Sequence, residues 1–386
     1  SGWIHFMADL PISAKYYLKE IYAPNGYVRG TETQEFTFEY QGDKTTQAVY
    51  EFTFEDVQTS VELSKADLTD GKELPGASLQ VLDSNGTVVE EWISTDEPHL
   101  IRGLLVGETY TMVETKPADG YTTAESIEFK VEDTAEVQKH QMLDDVTKVE
   151  ISKTDVTDSK EVPGAKLTIL DKDGKVVESW VSKKDPHMVE KLPVGTYTLR
   201  EEQAPDGYLV AEEVSFEVKD TGEIQKVEMK DARPVGKLVL KKTDAEDGSP
   251  LAGAEFELRI KKSGKVVATL VTDEEGVATS GDIPIASYKD GKMKKEIEYI
   301  LVETKAPDGY VRSEKEESVI FAYEDGNTKE IEITKELTNE RIPTGGYSNS
   351  PKTEDDTNIW LPFFLLLLSV GGIAGIIWYT KRKNHD

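Results

Sequence analysis

The sequence predicts an all-β fold, organised as a tandem array of β-sandwich domains, and three observations predict it. A block that begins with Glu, contains Pro and ends in Gly-Tyr occurs four times. Short runs of alternating apolar residues lie between the copies, and Asp-Gly, Asn-Gly and Pro-Gly turns bound these runs. The copies are Glu20–Tyr27, Glu114–Tyr121, Glu201–Tyr208 and Glu303–Tyr310. Each reads as a strand end, a tight turn and a new strand, so we expect antiparallel sandwiches.

The later blocks recur roughly every 90 to 100 residues, which is too long for a solenoid repeat and suits small β domains. We therefore expect a partial domain at 1–57, which lacks its opening strand, and complete domains at 58–147, 148–234 and 235–342. In the partial domain we predict strands at Tyr16–Leu18, Phe36–Tyr40 and Val49–Phe54. The last domain has an insertion, Ser287–Lys295, that we interpret as a loop.

Composition excludes several classes of function. The net charge of −29 disfavours a nucleic-acid partner, because binding to a phosphate backbone requires a basic face. With no Cys and five scattered His, no disulfide, metal site or cofactor is expected. No phosphate-binding glycine loop and no Ser/His/Asp arrangement stands out, so we do not expect an enzyme that acts on an exchangeable substrate.

The C-terminal region predicts an extracellular protein that is held at the membrane. Residues 343–358 form a polar linker, 359–380 an apolar run long enough to cross a bilayer as a helix, and 381–386 a basic cytoplasmic tail. We therefore predict one C-terminal transmembrane helix in a single-pass precursor. The first residues do not resemble a signal peptide, so we also expect the chain to be a fragment that lacks its true N-terminus.

The strands place three charged or amide side chains in apolar register in each complete domain, because alternate residues of a strand share a face. The opening strands contribute Lys65, Lys153 and Lys242, the block strands Glu114, Glu201 and Glu303, and the closing strands Asp144, Asp231 and Asn339. Asp145 follows Asp144 directly, so a slip of one residue would exchange the two. The partial domain has Glu20 and Asp56 but no opening Lys, so no cross-link is expected there.

Burial would change the pKa values of these residues and therefore their reactivity. A lone Lys usually extends its ammonium group to water, but recurrence of all three residue types in one register favours a buried cluster. Burial lowers the pKa of a Lys and raises that of a carboxyl, so a neutral amine can attack the Asp or Asn carbonyl while a protonated Glu transfers protons. The product is an isopeptide bond. By analogy with a disulfide closing a loop of similar length, it would contribute on the order of 4 kcal/mol. An unreacted buried ion pair is the alternative that the sequence leaves open.

These residues resemble the Cna B-type or SpaA-like domains of Gram-positive surface proteins and pilins, which have an Ig-like or prealbumin-like sandwich fold. The resemblance rests on Ser64-Lys65-Ala66-Asp67, on Leu74-Pro-Gly-Ala77, on the Glu-to-Tyr block and on the closing Asp or Asn. In that family the Lys and the Asp or Asn form a spontaneous isopeptide bond that the Glu assists. The resemblance therefore implies the same three roles for the three sets of residues.

The end of the chain is similar to a sortase sorting signal, in which a short motif precedes an apolar span and a basic tail. The motif Ser350-Pro351-Lys352-Thr353-Glu354 keeps the Pro and Thr of the usual Leu-Pro-x-Thr-Gly pattern, but has Glu in the place of the Gly after the cleaved bond. The resemblance implies sortase and peptidoglycan as partners and an anchor in the cell wall. Without cleavage, the membrane helix is the expected anchor.

Three functions remain open on these observations. The first is a cell-surface stalk of isopeptide-stabilised repeats that displays an N-terminal region away from the cell. The second is an adhesin that binds a host protein or glycan, and an exposed aromatic patch would favour it. The third is a pilus subunit.

Overall fold

The computed structural model describes residues 4–5, 7–44 and 48–343, and these residues form β-strands and turns. No α-helix occurs among them, so the predicted all-β class is confirmed. Within these ranges no helix is long and apolar enough to cross a membrane. The predicted transmembrane helix, the basic tail, the sorting motif and the linker beyond residue 343 lie outside the described residues.

The described part of the N-terminal segment, residues 4–5, 7–44 and 48–58, contains four short strands. They are β1 (Lys15–Lys19), β2 (Tyr27–Val28), β3 (Thr33–Thr37) and β4 (Val57–Gln58). Strand β1 pairs with β3 and β2 with β4, both antiparallel. The predicted strand at Tyr16–Leu18 is confirmed within β1. The prediction for Val49–Phe54 is wrong, because no strand forms there, and β3 ends three residues before Tyr40.

The next strands build sandwich A, which consists of two facing sheets. Its strands are β5 (Ser60–Asp67), β6 (Ser78–Leu82), β7 (Val88–Ile93), β8 (His99–Arg102), β9 (Thr109–Lys116), β10 (Ile127–Lys130) and β11 (Gln138–Asp144). One sheet has the order β10-β9-β6-β7 and the other β11-β5-β8. The side chains at alternate positions of β5 are buried between the sheets, as the strand period requires.

Sandwich B repeats this arrangement. Its strands are β12 (Lys148–Asp155), β13 (Lys166–Leu170), β14 (Val176–Val181), β15 (His187–Glu190), β16 (Gly195–Gln203), β17 (Val214–Val218) and β18 (Ile224–Asp231). The sheets have the orders β14-β13-β16-β17 and β15-β12-β18.

Sandwich C adds a hairpin to the same plan. Its strands are β19 (Val235–Asp244), β20 (Glu255–Ile260), β21 (Val266–Val271), β22 (Val277–Thr279), β23 (Ile283–Pro284), β24 (Ala286–Lys289), β25 (Lys292–Glu296), β26 (Glu298–Lys305), β27 (Glu317–Ile320) and β28 (Glu330–Asn339). One sheet has the order β21-β20-β26-β27, and in the other β19 pairs with β22, β23 and β28.

The opening and closing strands of each sandwich are neighbours and run parallel. The pairs are β5 with β11, β12 with β18 and β19 with β28. The predicted antiparallel pairing is therefore confirmed for the other strand pairs of the described residues but is wrong for these three. A hairpin turn forces antiparallel pairing only on strands adjacent in sequence, whereas these two strands are separated by most of the domain. This pairing brings the two ends of each sandwich onto adjacent strands.

The insertion in sandwich C is a β-hairpin, so its interpretation as a loop is wrong. Strands β24 and β25 pair across a two-residue turn at Asp290 and Gly291, whose φ angles of 54° and 64° suit a hairpin turn. The hairpin packs against sandwich B. Tyr288 contacts Tyr208 with ring centroids 5.2 Å apart and donates a 2.6 Å hydrogen bond to the carbonyl of Gly207. These contacts give the hairpin a partner that sequence periodicity does not reveal.

Candidate functional site

The opening strands place one Lys in the core of each sandwich. Val61 and Leu63 precede Lys65 at alternate positions of β5, and all three side chains are buried. Strands β12 and β19 place Lys153 and Lys242 in the same way. None of the three lysines is more than 2% exposed. Extension of these lysines to water is therefore excluded.

The closing strand brings an acyl side chain to each Lys. In sandwich A, Met142 lies opposite Lys65 and Asp144 lies opposite Asp67, so Lys65 and Asp144 are diagonal neighbours on one face. Lys65 Nζ contacts Asp144 Oδ1. The same register in sandwich B brings Lys153 Nζ into contact with Asp231 Oδ1. In sandwich C, Lys242 and Asn339 occupy the corresponding positions of β19 and β28.

The Glu comes from the facing sheet. Glu114 lies on β9, and its Oε1 is 2.9 Å from Lys65 Nζ. The corresponding distances are 3.2 Å between Glu201 Oε2 and Lys153 Nζ, and 3.5 Å between Glu303 Oε1 and Lys242 Nζ. All three carboxyl groups are buried. Each cluster therefore joins the two sheets at the centre of a sandwich.

A backbone N–H ten residues further along fixes the orientation of each Glu. Ala124 N–H donates to Glu114 Oε2 and Ala211 N–H to Glu201 Oε2, both at 2.6 Å. Ser313 N–H donates to Glu303 Oε2 at 2.5 Å. Since one carboxyl oxygen is held by the backbone, the carboxyl group points into the cluster in all three sandwiches.

The amide of Asn339 is oriented by two acceptors. Its Nδ2 donates to Glu303 Oε2 at 3.0 Å and to the carbonyl of Val311 at 2.5 Å. Its Oδ1 and the Oδ2 atoms of Asp144 and Asp231 are buried and accept no hydrogen bond within the described chain. Orphaned acceptors of this kind are costly in a core, so the clusters are strained by unmet hydrogen bonding as they stand.

Burial shifts the pKa values in the direction that amide formation requires. It raises the pKa of Asp144 well above the ordinary Asp value, and nearby Glu114 raises it further against the opposing effect of Lys65. Burial likewise raises the pKa of Asp231. In sandwich C burial lowers the pKa of Lys242, although Glu303 opposes the shift. Burial therefore favours the neutral carboxyl at Asp144 and Asp231, and the neutral amine at Lys242.

Asp145, the other partner considered for Lys65, lies elsewhere. Its carboxylate accepts two hydrogen bonds from Lys148 Nζ, at 2.9 and 2.8 Å. The structure thus brings Asp144 to Lys65 and pairs Asp145 with a different Lys.

The sequence reasoning missed a second recurrent pair beside each cluster. The Tyr that ends each block donates its hydroxyl to an Asp two residues after the Lys, at 2.6 to 2.7 Å. The pairs are Tyr121 with Asp67, Tyr208 with Asp155 and Tyr310 with Asp244. The recurrence of Lys-x-Asp in all three opening strands was the signal that could have revealed them.

Cations at the junctions between sandwiches bind two of these Asp residues. Lys191 of sandwich B donates to Asp67 at 3.1 Å and to the Tyr121 hydroxyl at 2.6 Å. Arg233 donates to Asp155 at 2.7 Å, and its guanidinium lies 4.0 Å from the ring centroid of Tyr288. These contacts connect strand β5 to sandwich B, and strand β12 to the hairpin of sandwich C.

The arrangement can support attack of a buried amine on a buried acyl carbon. Each cluster has a nucleophile, an acyl group and a carboxyl that lies within 3.5 Å of the amine. Such a carboxyl can take a proton from the amine and give it to a leaving group. Burial of the three groups and the approach of the Glu carboxyl to the Lys amine recur in all three sandwiches.

The family comparison identifies the repeats. The model of the SpaA prealbumin-like fold domain matches residues 59–145, 147–233 and 236–337, which is more than half of the chain. The chain therefore belongs to this family, and its fold is a tandem array of prealbumin-like β-sandwich domains. The resemblance expected from the sequence is confirmed. Among curated proteins, none is similar enough to count as a relative.

Several solved structures are similar to this chain. The Bacillus anthracis TIE protein shares 25% identity at a TM-score of 0.51, over 81% of this chain and 55% of that one, so this chain spans about half of its length. BcpA, the major pilin subunit of Bacillus cereus, shares 19% identity at a TM-score of 0.42, over 74% and 99% of the two chains. The full-length major pilin SpaD from Corynebacterium diphtheriae shares 16% identity at 0.35, over 74% and 98%.

Proposed function

We propose that this chain is a cell-surface structural stalk whose domains are each closed by an internal isopeptide bond. The bonds join Lys65 to Asp144, Lys153 to Asp231 and Lys242 to Asn339. The observation that carries the proposal is the threefold recurrence of a buried Lys whose amine lies within 3.5 Å of a buried Glu, with a buried acyl side chain on the neighbouring strand. A buried ion pair alone is weak support for stability, so three unreacted copies would have little structural benefit.

The reaction is a condensation within each core. The neutral Lys amine attacks the side-chain carbonyl carbon, a C–N bond forms, and the Glu carboxyl transfers a proton from the nitrogen to the leaving group. Water leaves at Asp144 and Asp231, whereas ammonia leaves at Asn339. The Nδ2 of Asn339 already donates to Glu303 Oε2 at 3.0 Å, which suits protonation of this nitrogen as it departs. Each cluster reacts once, so the chain turns over no external substrate.

The position of the bonds suits a protein that carries tension. The opening and closing strands are the first and last of each sandwich and lie side by side in parallel. Force applied at the two ends of a sandwich loads these two strands. A covalent bond between them passes the force directly from one to the other, so the rest of the sandwich is not extended.

The wider assignment extends the same proposal. The domains are those expected at 58–147, 148–234 and 235–342, after a partial domain at 1–57. The sorting-like motif at Ser350–Glu354 and the apolar run after it support an anchor in the cell wall or the plasma membrane, with sortase and peptidoglycan as the proposed partners. The extracellular localisation follows from this anchor.

Single-molecule pulling on the full chain in detergent, with handles at its two ends, tests the stalk. Lys65 and Asp144 are separated by 79 positions. An unlocked sandwich A would therefore release an extension of about 270 Å, at roughly 3.4 Å per residue. We expect no such step from the wild type, and one step of this length from Glu114→Gln.

The matched control is Glu125→Gln, which removes an exposed carboxylate close to Ala124 without touching the cluster. It should extend like the wild type. Steps of about 270 Å from sandwiches A and B of the wild type, together with a longer step from sandwich C, would contradict the proposal, because they would show that the domains are held by non-covalent contacts alone.

A further inference from the structure

The Gly of each block lies against the sandwich that follows it. A Cβ built on Gly26, Gly120 or Gly207 would lie less than 3.0 Å from an atom of the next sandwich. A Cβ built on Gly309, in the last block, would have no neighbour within 4 Å among the described residues. All four glycines have φ between 82° and 87°, so the turn itself requires Gly in every block. Where a sandwich follows, the block Gly is also required for close approach.

A buried Thr in the linker completes the first two junctions. Thr147 N–H donates to the carbonyl of Gly120 at 3.1 Å, and its hydroxyl donates to the carbonyl of Leu192 at 2.6 Å. Thr59 makes the same two bonds one domain earlier, at 3.0 and 2.7 Å. Both Thr side chains are fully buried. Each Thr therefore joins the block of one domain to the sandwich that follows.

The loop before each closing strand contacts the preceding domain two residues after the block Tyr. Arg29 N–H donates to Asp133 Oδ1 at 2.9 Å, and Thr123 N–H donates to Asp220 Oδ1 at 2.8 Å. The Thr123 hydroxyl also donates to Asp220 Oδ2, at 2.6 Å. In sandwich C a backbone carbonyl replaces the Asp and accepts a 2.8 Å hydrogen bond from Val210 N–H. Three junctions therefore use the same point of the preceding domain.

Lys191 adds a charged contact between sandwiches A and B. Its φ of 63° lies in the left-handed region, which side chains other than Gly rarely adopt, and Gly103 occupies the same place in sandwich A with a φ of 80°. The ammonium of Lys191 lies 3.1 Å from Asp67 Oδ2, and this Asp is buried. Backbone strain of this kind persists where the surrounding contacts offset it. Lys191 is therefore a residue that the junction itself requires.

The linker between sandwiches A and B offers no free hinge. Strand β11 ends at Asp144 and β12 begins at Lys148, so three residues join the two sandwiches. Two of them, Val146 and Thr147, are buried. Domains of one chain usually move relative to each other when their interface is small and polar. Here a short, buried linker and contacts on several sides oppose that motion.

We propose that the end of each block is a docking socket that fixes the orientation of the following sandwich, and that Lys191 holds sandwich B in the socket of sandwich A. The docking socket consists of the block Gly and Tyr and the second residue after that Tyr. Its partner is the next sandwich of the same chain. The contacts reach the linker Thr, the backbone after β8 or β15 and the loop before the closing strand, so together they oppose both bending and rotation.

The inference goes beyond the proposed function and does not depend on the isopeptide bonds. None of the contacts that form the docking socket involves the Lys, the Glu or the acyl side chain of a cluster. A stalk with such junctions transmits direction as well as tension, because each sandwich keeps a fixed orientation relative to the one before it.

Pulsed electron double resonance tests the inference, because it measures the spread of the distance between two spin labels. The sequence has no Cys, so labels attach only at introduced positions. Glu128→Cys and Ser215→Cys place labels at equivalent, exposed positions of β10 and β17, in sandwiches A and B. The labelled full chain in detergent should give one narrow distance distribution. Adding Lys191→Met, which removes the ammonium, should at least double its width.

Two Gly variants provide a matched comparison. Gly120→Ala and Gly309→Ala introduce the same Cβ at nearly the same φ, 87° and 86°, so the backbone strain is alike in both. Only at Gly120 does the added Cβ meet a following sandwich. Gly120→Ala should therefore at least double the width of the distribution, and Gly309→Ala should leave it unchanged.

A second label pair reports on sandwich A alone. Glu128→Cys and Lys139→Cys lie on β10 and β11, and the distance between their labels should keep its width in every variant, which shows that sandwich A stays folded. A broad distribution between sandwiches A and B in the otherwise unchanged chain would overturn the inference. So would a distribution that stays equally narrow in Lys191→Met or in Gly120→Ala.

Discussion

Replacing Glu114 by Gln separates the chemistry of the cluster from its packing. Gln keeps an oxygen that can accept the Ala124 N–H bond and has nearly the same volume as Glu, but it cannot transfer protons. Lys65 and Asp144 both remain in place. We therefore expect sandwich A to fold without its isopeptide bond.

The size of the effect follows from the loop that the bond closes. With 79 positions between Lys65 and Asp144, the chain-entropy estimate for a cross-link is about 4.5 kcal/mol. For a domain of this size each kcal/mol corresponds to about 4–8 °C in Tm, so the variant should melt about 20–35 °C lower in sandwich A alone. Sandwiches B and C keep their own clusters and should be unchanged.

Differential scanning calorimetry of the full chain is the assay, because it resolves the separate transitions of a multidomain protein. One transition should move to lower temperature in Glu114→Gln and none in Glu125→Gln. If the transitions of Glu114→Gln coincide with those of the wild type, the reasoning is refuted, since the Glu would then have no part in forming a stabilising bond.

Three further predictions concern other parts of the chain. Asn339→Asp should still cross-link, because Asp serves in the other two sandwiches; both mature chains then contain the same amide and have equal intact masses, whereas a variant heavier by one water would contradict this. Tyr288→Ala should undock the hairpin, and hydrogen exchange of residues 286–296 should accelerate at least tenfold while the rest of sandwich C stays protected. Burial alone would raise the pKa of Asp155, but hydrogen bonds from Tyr208, the Thr157 backbone and Arg233 lower it overall. The stability from a lowered pKa is present above the ordinary Asp value near 4 and is lost below it. The hydrogen-exchange protection factors at this junction, which compare each amide with its intrinsic rate at the same pH, should therefore fall as the pH falls from about 4 towards 2 and stay constant from pH 5 to 7.

The strand period accounts for what the sequence predicted about the clusters. Lys65 follows Val61 and Leu63 at intervals of two, so its inward direction could be read from the sequence, and the same holds for Glu114 behind Tyr110 and Met112. The two residues meet because the two sheets that carry them face each other. The recurrence of both residues in three domains predicted this contact, and in the structure Lys65 Nζ lies 2.9 Å from Glu114 Oε1.

Tertiary contacts account for what the sequence did not predict. Parallel pairing of β5 with β11 depends on the path of the whole domain between them, so no local turn signal encodes it. The Asp290-Gly291 turn was visible, but the hairpin that it closes is also held by Tyr208 of the preceding sandwich. Which of Asp144 and Asp145 faces Lys65 depends on the strand register. In the structure Asp144 contacts Lys65, whereas Asp145 accepts hydrogen bonds from Lys148.

The most direct test of the central claim is the intact mass of the full chain expressed without added partners. Three internal isopeptide bonds predict a mass below that of the sequence by two waters and one ammonia, with cross-linked fragments that join Lys65 to Asp144, Lys153 to Asp231 and Lys242 to Asn339. A mass equal to that of the unmodified sequence would contradict the account and leave the three clusters as buried, unreacted groups.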